Sequence, residues 1–201
     1  MIPAIVLAAG GSTRMGCPKA LLPLAAGGTF LTHIVSTFRA ADVQDVVVVL
    51  GHDAQALLDA FEATGVAARF VVNLEYAAGQ LTSLVAGLRV VDRPGVRAAL
   101  VTLVDIPCVD PSTVRAVVDR YRRTRAPIVR PVHGERHGHP VLIDRSLFDE
   151  LRAADRSRGA NDVIRAHVSA AGDVEVADEG AFTDVDTPAD YEALLARLSH
   201  G

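Results

Sequence analysis

Two hydrophobic rhythms alternate along the chain. Short apolar runs at residues 3–8, 46–50, 69–72 and 98–104 are rich in β-branched residues, the pattern of strands covered on both faces. Between them, apolar residues recur every three or four positions. Leu31, Ile34, Val35 and Phe38 predict a helix from Phe30 to about Ala41, with Thr29 as its cap, and a second helix covers 54–63. After a loop at 73–79, Leu81, Leu84, Val85 and Leu88 predict a third helix over 81–91. Pro111 sits where a first helical residue belongs and opens a fourth, ending near Arg122. Strand and helix alternating at short spacing predict an α/β domain with a parallel, doubly wound sheet.

Past residue 125 the rhythm loosens. Short strands fall near 127–132, 140–144 and 173–176, with helices near 146–154 and 160–167. A final strand at 182–185 leads into a helix over 187–198, where Thr187-Pro188 is a strong start and Asp190 adds charge to the first turn. No repeat, low-complexity tract or linker divides the chain, so residues 1–201 read as a single domain.

Composition narrows the classes. With 201 residues, 50% of them hydrophobic, the chain can bury a sizeable core. A net charge of −4 and a pI near 5.9 leave no overall basic face for nucleic acid. No apolar run reaches bilayer length, and the apolar start has no basic leader ahead of it. The expected location is the cytoplasm, with no membrane partner. Cys17 and Cys108 fit neither a metal spacing nor a disulfide framework, and Cys17 reads as an inert small residue. Of 20 Lys+Arg, only Lys19 is a lysine.

Lys19 closes the stretch richest in chemistry, Leu7-Ala8-Ala9-Gly10-Gly11-Ser12-Thr13-Arg14-Met15-Gly16-Cys17-Pro18-Lys19. A buried strand breaks here into a small-residue loop, whose exposed N–H groups form an anion-binding nest. Arg14 and Lys19 add positive charge, so the stretch reads as a triphosphate cradle. It is not a P-loop, because Cys17-Pro18 follow Gly16 where Lys and Ser/Thr belong. Nor does it contain the Gly-x-Gly-x-x-Gly of a dinucleotide site. A compact ammonium suits phosphate oxygens as a point charge in a way that a guanidinium fork does not.

Ligands of doubly wound sheets collect at the carboxyl ends of strands, where the glycine loop, Gly51-His52 and Asp105 all fall. A carboxylate at the tip of a central strand, as at Asp105, must be solvated, paired or bound to a cation. Asp184-Val185-Asp186 presents two carboxylates on one face by period-two alternation, and these with Asp105 offer the few oxygens that Mg²⁺ accepts. Asp186 also suits a plain capping role at Thr187-Pro188. Gly79-Gln80-Leu81-Thr82-Ser83-Leu84 opens a helix whose first N–H groups, with Ser83, can meet a base or phosphate. His133, His137 and His139 lie within seven residues, but on a loop-to-strand segment whose spacing does not suit zinc.

Leu7-Ala8-Ala9-Gly10, Ser12, Arg14-Met15-Gly16 and Lys19 resemble, in register, the N-terminal signature of MobA-like nucleotidyltransferases. The likeness is greatest to the molybdenum cofactor cytidylyltransferases. It implies a single Rossmann-like three-layer α/β/α domain with a mostly parallel sheet, of the nucleotide-diphospho-sugar transferase type. Residues 1–125 would form the nucleotide-binding half and 126–201 the acceptor half. The cofactor implied is Mg²⁺, held by Asp105 and by Asp186, which matches the family's last acidic position before Thr-Pro. The substrates implied are CTP and molybdopterin cofactor. Arg14, Lys19 and Asp105 are then catalytic, while Leu7, Ala8, Ala9, Gly10, Gly11, Ser12, Arg14 and Lys19 bind nucleotide together with Gly79, Gln80 and Ser83. Gly138, His139 and Pro140 are similar to the family's acceptor-facing segment. Ala8-Ala9-Gly10 looks like the cytidylyl form of the loop, where guanylyltransferases tend to have Ala-Gly-Gly. Ser157-Arg158 and Asn161 depart from the acidic residue and arginine that flank Gly-Ala in the family, a difference that bears on the acceptor.

The expected reaction is attack by an acceptor phosphate on the α-phosphorus of a nucleoside triphosphate, with pyrophosphate leaving. A phosphate monoester is already ionised near neutral pH, so no general base is assigned. GTP or another triphosphate with a different phosphorylated acceptor is the nearest alternative. Two rivals differ in class. Asp184-x-Asp186 resembles the Asp-x-Asp of metal-dependent glycosyltransferases, though it lies late in the chain. A non-catalytic module could hold a nucleotide or pterin for delivery, and a molybdenum hydroxylase is the partner that would receive the product.

Overall fold

β1 (Ala4–Ala8) and β2 (Val46–Leu50) are buried at every residue, as unbroken apolar runs require. The computed structural model of the chain describes residues 1–24 and 27–199. Between the first two strands lies α1 (Phe30–Ala40), whose capping residue Thr29 exchanges hydrogen bonds with Thr32. Then follow α2 (Ala54–Glu62), β3 (Arg69–Val72), α3 (Gln80–Val91), β4 (Ala98–Leu103) and α4 (Pro111–Thr124). The second half contains β5 (Ile128–His133), β6 (Arg136–His137), β7 (Val141–Asp144), α5 (Phe148–Ala153), α6 (Asn161–His167), β8 (Asp173–Glu175) and α7 (Pro188–Ser199).

Alternation along the strands builds three layers. Ala4, Val6, Val46, Val48 and Leu50 face one side, where Ile34 and Phe38 of α1, Phe61 of α2 and Val117 of α4 cover them. Ile5, Leu7, Val47 and Val49 face the other, under Leu84 and Leu88 of α3 and Phe148 of α5. Among the described residues, no helix is long and apolar enough to cross a membrane.

The sheet runs β3-β2-β1-β4-β7-β5-β6, with β8 beside β5. Ile5 lies between Val47 of β2 and Val101 of β4, both parallel to β1. As expected, the sheet is parallel through β3, β2, β1 and β4, and β8 also pairs parallel with β5. β7 runs antiparallel to both β4 and β5, making the whole sheet mixed. The reason is topological: β5 returns to β7 through the short β6 hairpin with no helix between, and such a return must reverse direction. No strand forms at residues 182–185. A 3₁₀ turn over Glu179–Phe182 takes its first residue, and the segment beyond joins the sheet by one backbone bond, Val185 N–H to the Asp105 carbonyl at 2.8 Å.

Tyr121 of α4 fastens the two halves. Its ring is buried, and its hydroxyl donates to the Asp144 carboxylate at 2.6 Å, beside the Arg97 carbonyl at 3.1 Å. Tyr121→Phe keeps the ring and leaves that carboxylate oxygen without its donor. A loss of about 1–3 kcal/mol in urea unfolding is expected, the usual cost of stranding one buried polar group; an unchanged midpoint would show the bond to be dispensable.

Candidate active site

Beyond β1 the chain leaves the sheet at Ala9, whose carbonyl accepts from His52 N–H at 3.1 Å. Gly51 makes that approach possible, since a Cβ there would lie 2.8 Å from the Ala9 carbonyl oxygen and 2.6 Å from Tyr76 Cβ. Gly10 is exposed, with open space where a side chain would stand, so a ligand can approach its backbone. Ser12 turns the loop at φ +46°, and its Oγ accepts from Lys19 N–H at 3.2 Å. That bond anchors the 3₁₀ turn Lys19–Leu21 and aims the Lys19 stem inward.

Two aspartates meet the lysine. Asp105 follows β4, and the Val185–Asp105 backbone bond brings the neighbouring Asp186 beside it. Asp190 fixes Asp186 from behind: its carboxylate accepts from the N–H groups of Asp186 and Thr187 at 3.1 and 2.8 Å, while its own N–H donates to Thr187 Oγ1. Lys19 Nζ lies 2.5 Å from Asp186 Oδ1 and 3.2 Å from Asp105 Oδ2, and Arg14 donates to Asp186 Oδ2 at 3.0 Å. Lys19 is only 8% exposed. Its hydrogen bond holds the Asp186 carboxyl below the usual carboxylate range, against the opposing effect of burial. Asp184 is exposed and takes no part.

These groups line a cleft of about 230 Å³ that also includes Leu7, Gly10, Ser12 and Gln80. A smaller hollow beside it includes Ala8, Gly11 and His52. Asp105 Oδ1 is buried without a hydrogen-bond partner. An orphaned carboxylate oxygen beside a second carboxylate is a donor set for a hard divalent cation. Among the described residues, no group of three or more His, Cys, Asp or Glu could hold a metal, so a cation at this pair would need water and substrate oxygens to complete its shell. In the histidine-rich segment, His133 pairs with Glu175 at 3.1 Å and His139 lies 3.3 Å from the Val101 carbonyl.

Several expected site residues have other duties. Ser83 does not face the cleft; it is buried and accepts from Asn73 Nδ2 at 3.0 Å, as Thr82 Oγ1 does at 2.8 Å. Gly79 begins α3 at φ +108°. Gly138, His139 and Pro140 lie outside the residues lining the cleft. Gly138 is buried and packed so closely that a Cβ would fall 2.5 Å from the Ala181 carbonyl oxygen, and Pro140 is buried too. His139 is half-buried; burial lowers its pKa, while its bond to the Val101 carbonyl and the nearby Asp105 charge act in the opposite direction. Sequence reasoning missed Asn73. Its position directly after a strand was the available signal, because an Asn there can cap the turn, as its Oδ1 does by accepting from Glu75 N–H at 3.0 Å.

A glycine loop, a lysine and two carboxylates gathered at the carboxyl edge of an α/β sheet define the class: a nucleotidyltransferase. The chain belongs to the MobA-like NTP transferase family, whose domain matches residues 4–171. A Rhodopirellula baltica protein named "Probable molybdenum cofactor guanylyltransferase" is 32% identical over 62% of this chain, which spans 58% of that protein's length. Nicotine blue oxidoreductase of Paenarthrobacter nicotinovorans is 30% identical over 96% of both chains. The crystal structure of Rv0371c from Mycobacterium tuberculosis H37Rv is 30% identical with a TM-score of 0.77, covering 98% of each chain. That protein has also been solved in complex with manganese, at 28% identity and a TM-score of 0.73 over 97% of this chain and 98% of that one.

Asn73→Ala tests whether the buried network behind α3 shapes the cleft through Gln80. Losing the three hydrogen bonds of its side chain should cost about 1–3 kcal/mol or more in stability. Nucleotide affinity should fall as the start of α3 loosens. Unchanged affinity on titration would confine Asn73 to a folding role.

Proposed function

We propose that the chain transfers CMP from CTP to the terminal phosphate of molybdopterin cofactor, with Mg²⁺ as cofactor and release of pyrophosphate. The observation that carries this reading is the convergence of Lys19, Asp105 and Asp186 beside the glycine loop. The acceptor's phosphate oxygen forms a bond to the α-phosphorus, and the bond from that phosphorus to the bridging oxygen breaks. Lys19, Arg14 and the amides of Gly10, Gly11 and Ser12 neutralise the charge that gathers on the departing pyrophosphate. Asp105 and Asp186 hold the divalent metal, which supplies further charge neutralisation when bound. Residues 1–125 serve the nucleotide and 126–201 the acceptor, with His139 on the acceptor side.

Two signs bear on the base and point apart. Ala8-Ala9-Gly10 looks like the cytidylyl form of the loop, whereas the Rhodopirellula relative bears a guanylyl name. We favour CTP because the cytidylyl sign lies in this chain's own residues at the cleft. A second reading, an oxidoreductase, follows from the name of the Paenarthrobacter relative. The chain's lack of a dinucleotide fingerprint weighs against it. Against the glycosyltransferase reading stands the pairing of Lys19 with Asp186 of the Asp184-x-Asp186 pair, which suits a triphosphate cleft.

Pyrophosphate release with molybdopterin cofactor and Mg²⁺, compared across CTP, GTP, UTP and ATP, tests the reading. Release with CTP alone supports it, release with GTP alone transfers it to a guanylyl donor, and NAD(P)H oxidation without pyrophosphate overturns it. Asp105→Ala should lower kcat roughly 10²-fold or more with folding intact, as expected for a metal ligand. Lys19→Arg should also lose activity, since the planar fork cannot occupy the ammonium's position. Wild-type kinetics in either variant would remove that residue from the mechanism.

A further inference from the structure

The ammonium of Lys19 sits where the two proposed metal ligands converge, 2.5 Å from Asp186 Oδ1 and 3.2 Å from Asp105 Oδ2. An ammonium held by Asp186 Oδ1 and Asp105 Oδ2 competes with a dication for the same two carboxylates, and like charges a few ångströms apart repel. We infer that Lys19 is an internal counter-ion that leaves Asp105 and Asp186 when the metal loads and is received by the nucleotide's phosphates, so that metal and triphosphate bind cooperatively through this one side chain. The inference rests on the metal-dependent nucleotidyl transfer proposed above.

Metal alone would have to expel an ammonium in a site where Lys19 is 8% exposed, leaving a cation with little water and no partner. Arg14, bonded to the other oxygen of Asp186, would face the same repulsion. Triphosphate alone would find Lys19 already neutralised by two carboxylates. Arriving together, the two ligands exchange partners: the carboxylates take the metal, and Lys19 and Arg14 take phosphate oxygens within the same cleft. The Lys19 backbone stays tied to Ser12 Oγ, so only the flexible stem moves. By linkage, whatever factor the nucleotide adds to metal affinity, the metal adds to nucleotide affinity.

Because Lys19 is the only lysine, [¹³Cε]-lysine labelling yields one side-chain NMR signal that reports this group directly. In the wild-type protein, Mg²⁺ alone should leave the signal near its metal-free position, at concentrations that move it fully once a non-hydrolysable CTP or GTP analogue is added. In parallel, Mn²⁺ affinity is read by electron paramagnetic resonance with and without the analogue. Without nucleotide, Lys19→Met should bind Mn²⁺ roughly tenfold or more tightly than wild type, the worth of one charge-assisted hydrogen bond. The analogue should then tighten Mn²⁺ binding strongly in wild type and little in the variant. Equal Mn²⁺ affinities with equal nucleotide enhancement, or a lysine signal unmoved by both ligands together, would overturn the inference and leave the metal site standing. Failure of wild type to bind Mn²⁺ even with nucleotide would overturn the metal-site reading and the inference with it.

Discussion

One ammonium held between two carboxylates is the contact around which the cleft is arranged. Asp105 and Asp186 are 81 positions apart in a chain of 201, and two like charges so close need a cation between them. Lys19 supplies it. The three residues are set by different devices: the end of β4 for Asp105, the Thr187–Asp190 capping box for Asp186, and the Ser12 anchor for Lys19. The backbone bond from Val185 to Asp105 joins the first two.

The sheet's two halves contribute differently. Parallel strands β1, β2 and β4 end together, so the glycine loop, His52 and Asp105 gather at one edge without any long excursion of the chain. The antiparallel return through β6 and β7 lays residues 141–144 beside β4 instead, with His139 close to the Val101 carbonyl and Gly138 packed against Ala181 and Phe182.

The first half of the fold was legible because its strands are unbroken apolar runs and its helices carry clear stripes; β2 and β3 lie where the pattern put them. The glycine loop and Lys19 were legible for a related reason, since small residues and a lone lysine leave a mark in composition. Less was legible where contact replaces pattern. Residues 182–185 look like a strand but find one backbone partner, so they remain an extended tie. Ser83 looked like a ligand for the nucleotide because hydroxyls at helix starts often are, yet Asn73 takes it from across a loop. The choice between Asp184 and Asp186 depended on which one the capping box would turn toward Lys19, and only the three-dimensional structure shows that.

The most direct test of the account is an anomalous-scattering crystal structure of the protein with Mn²⁺ and a non-hydrolysable triphosphate. The account predicts a manganese peak at the Asp105 and Asp186 carboxylates, with the triphosphate along Gly10–Ser12. A manganese peak elsewhere, with Asp105 and Asp186 still closed on Lys19 while the triphosphate is bound, would contradict it.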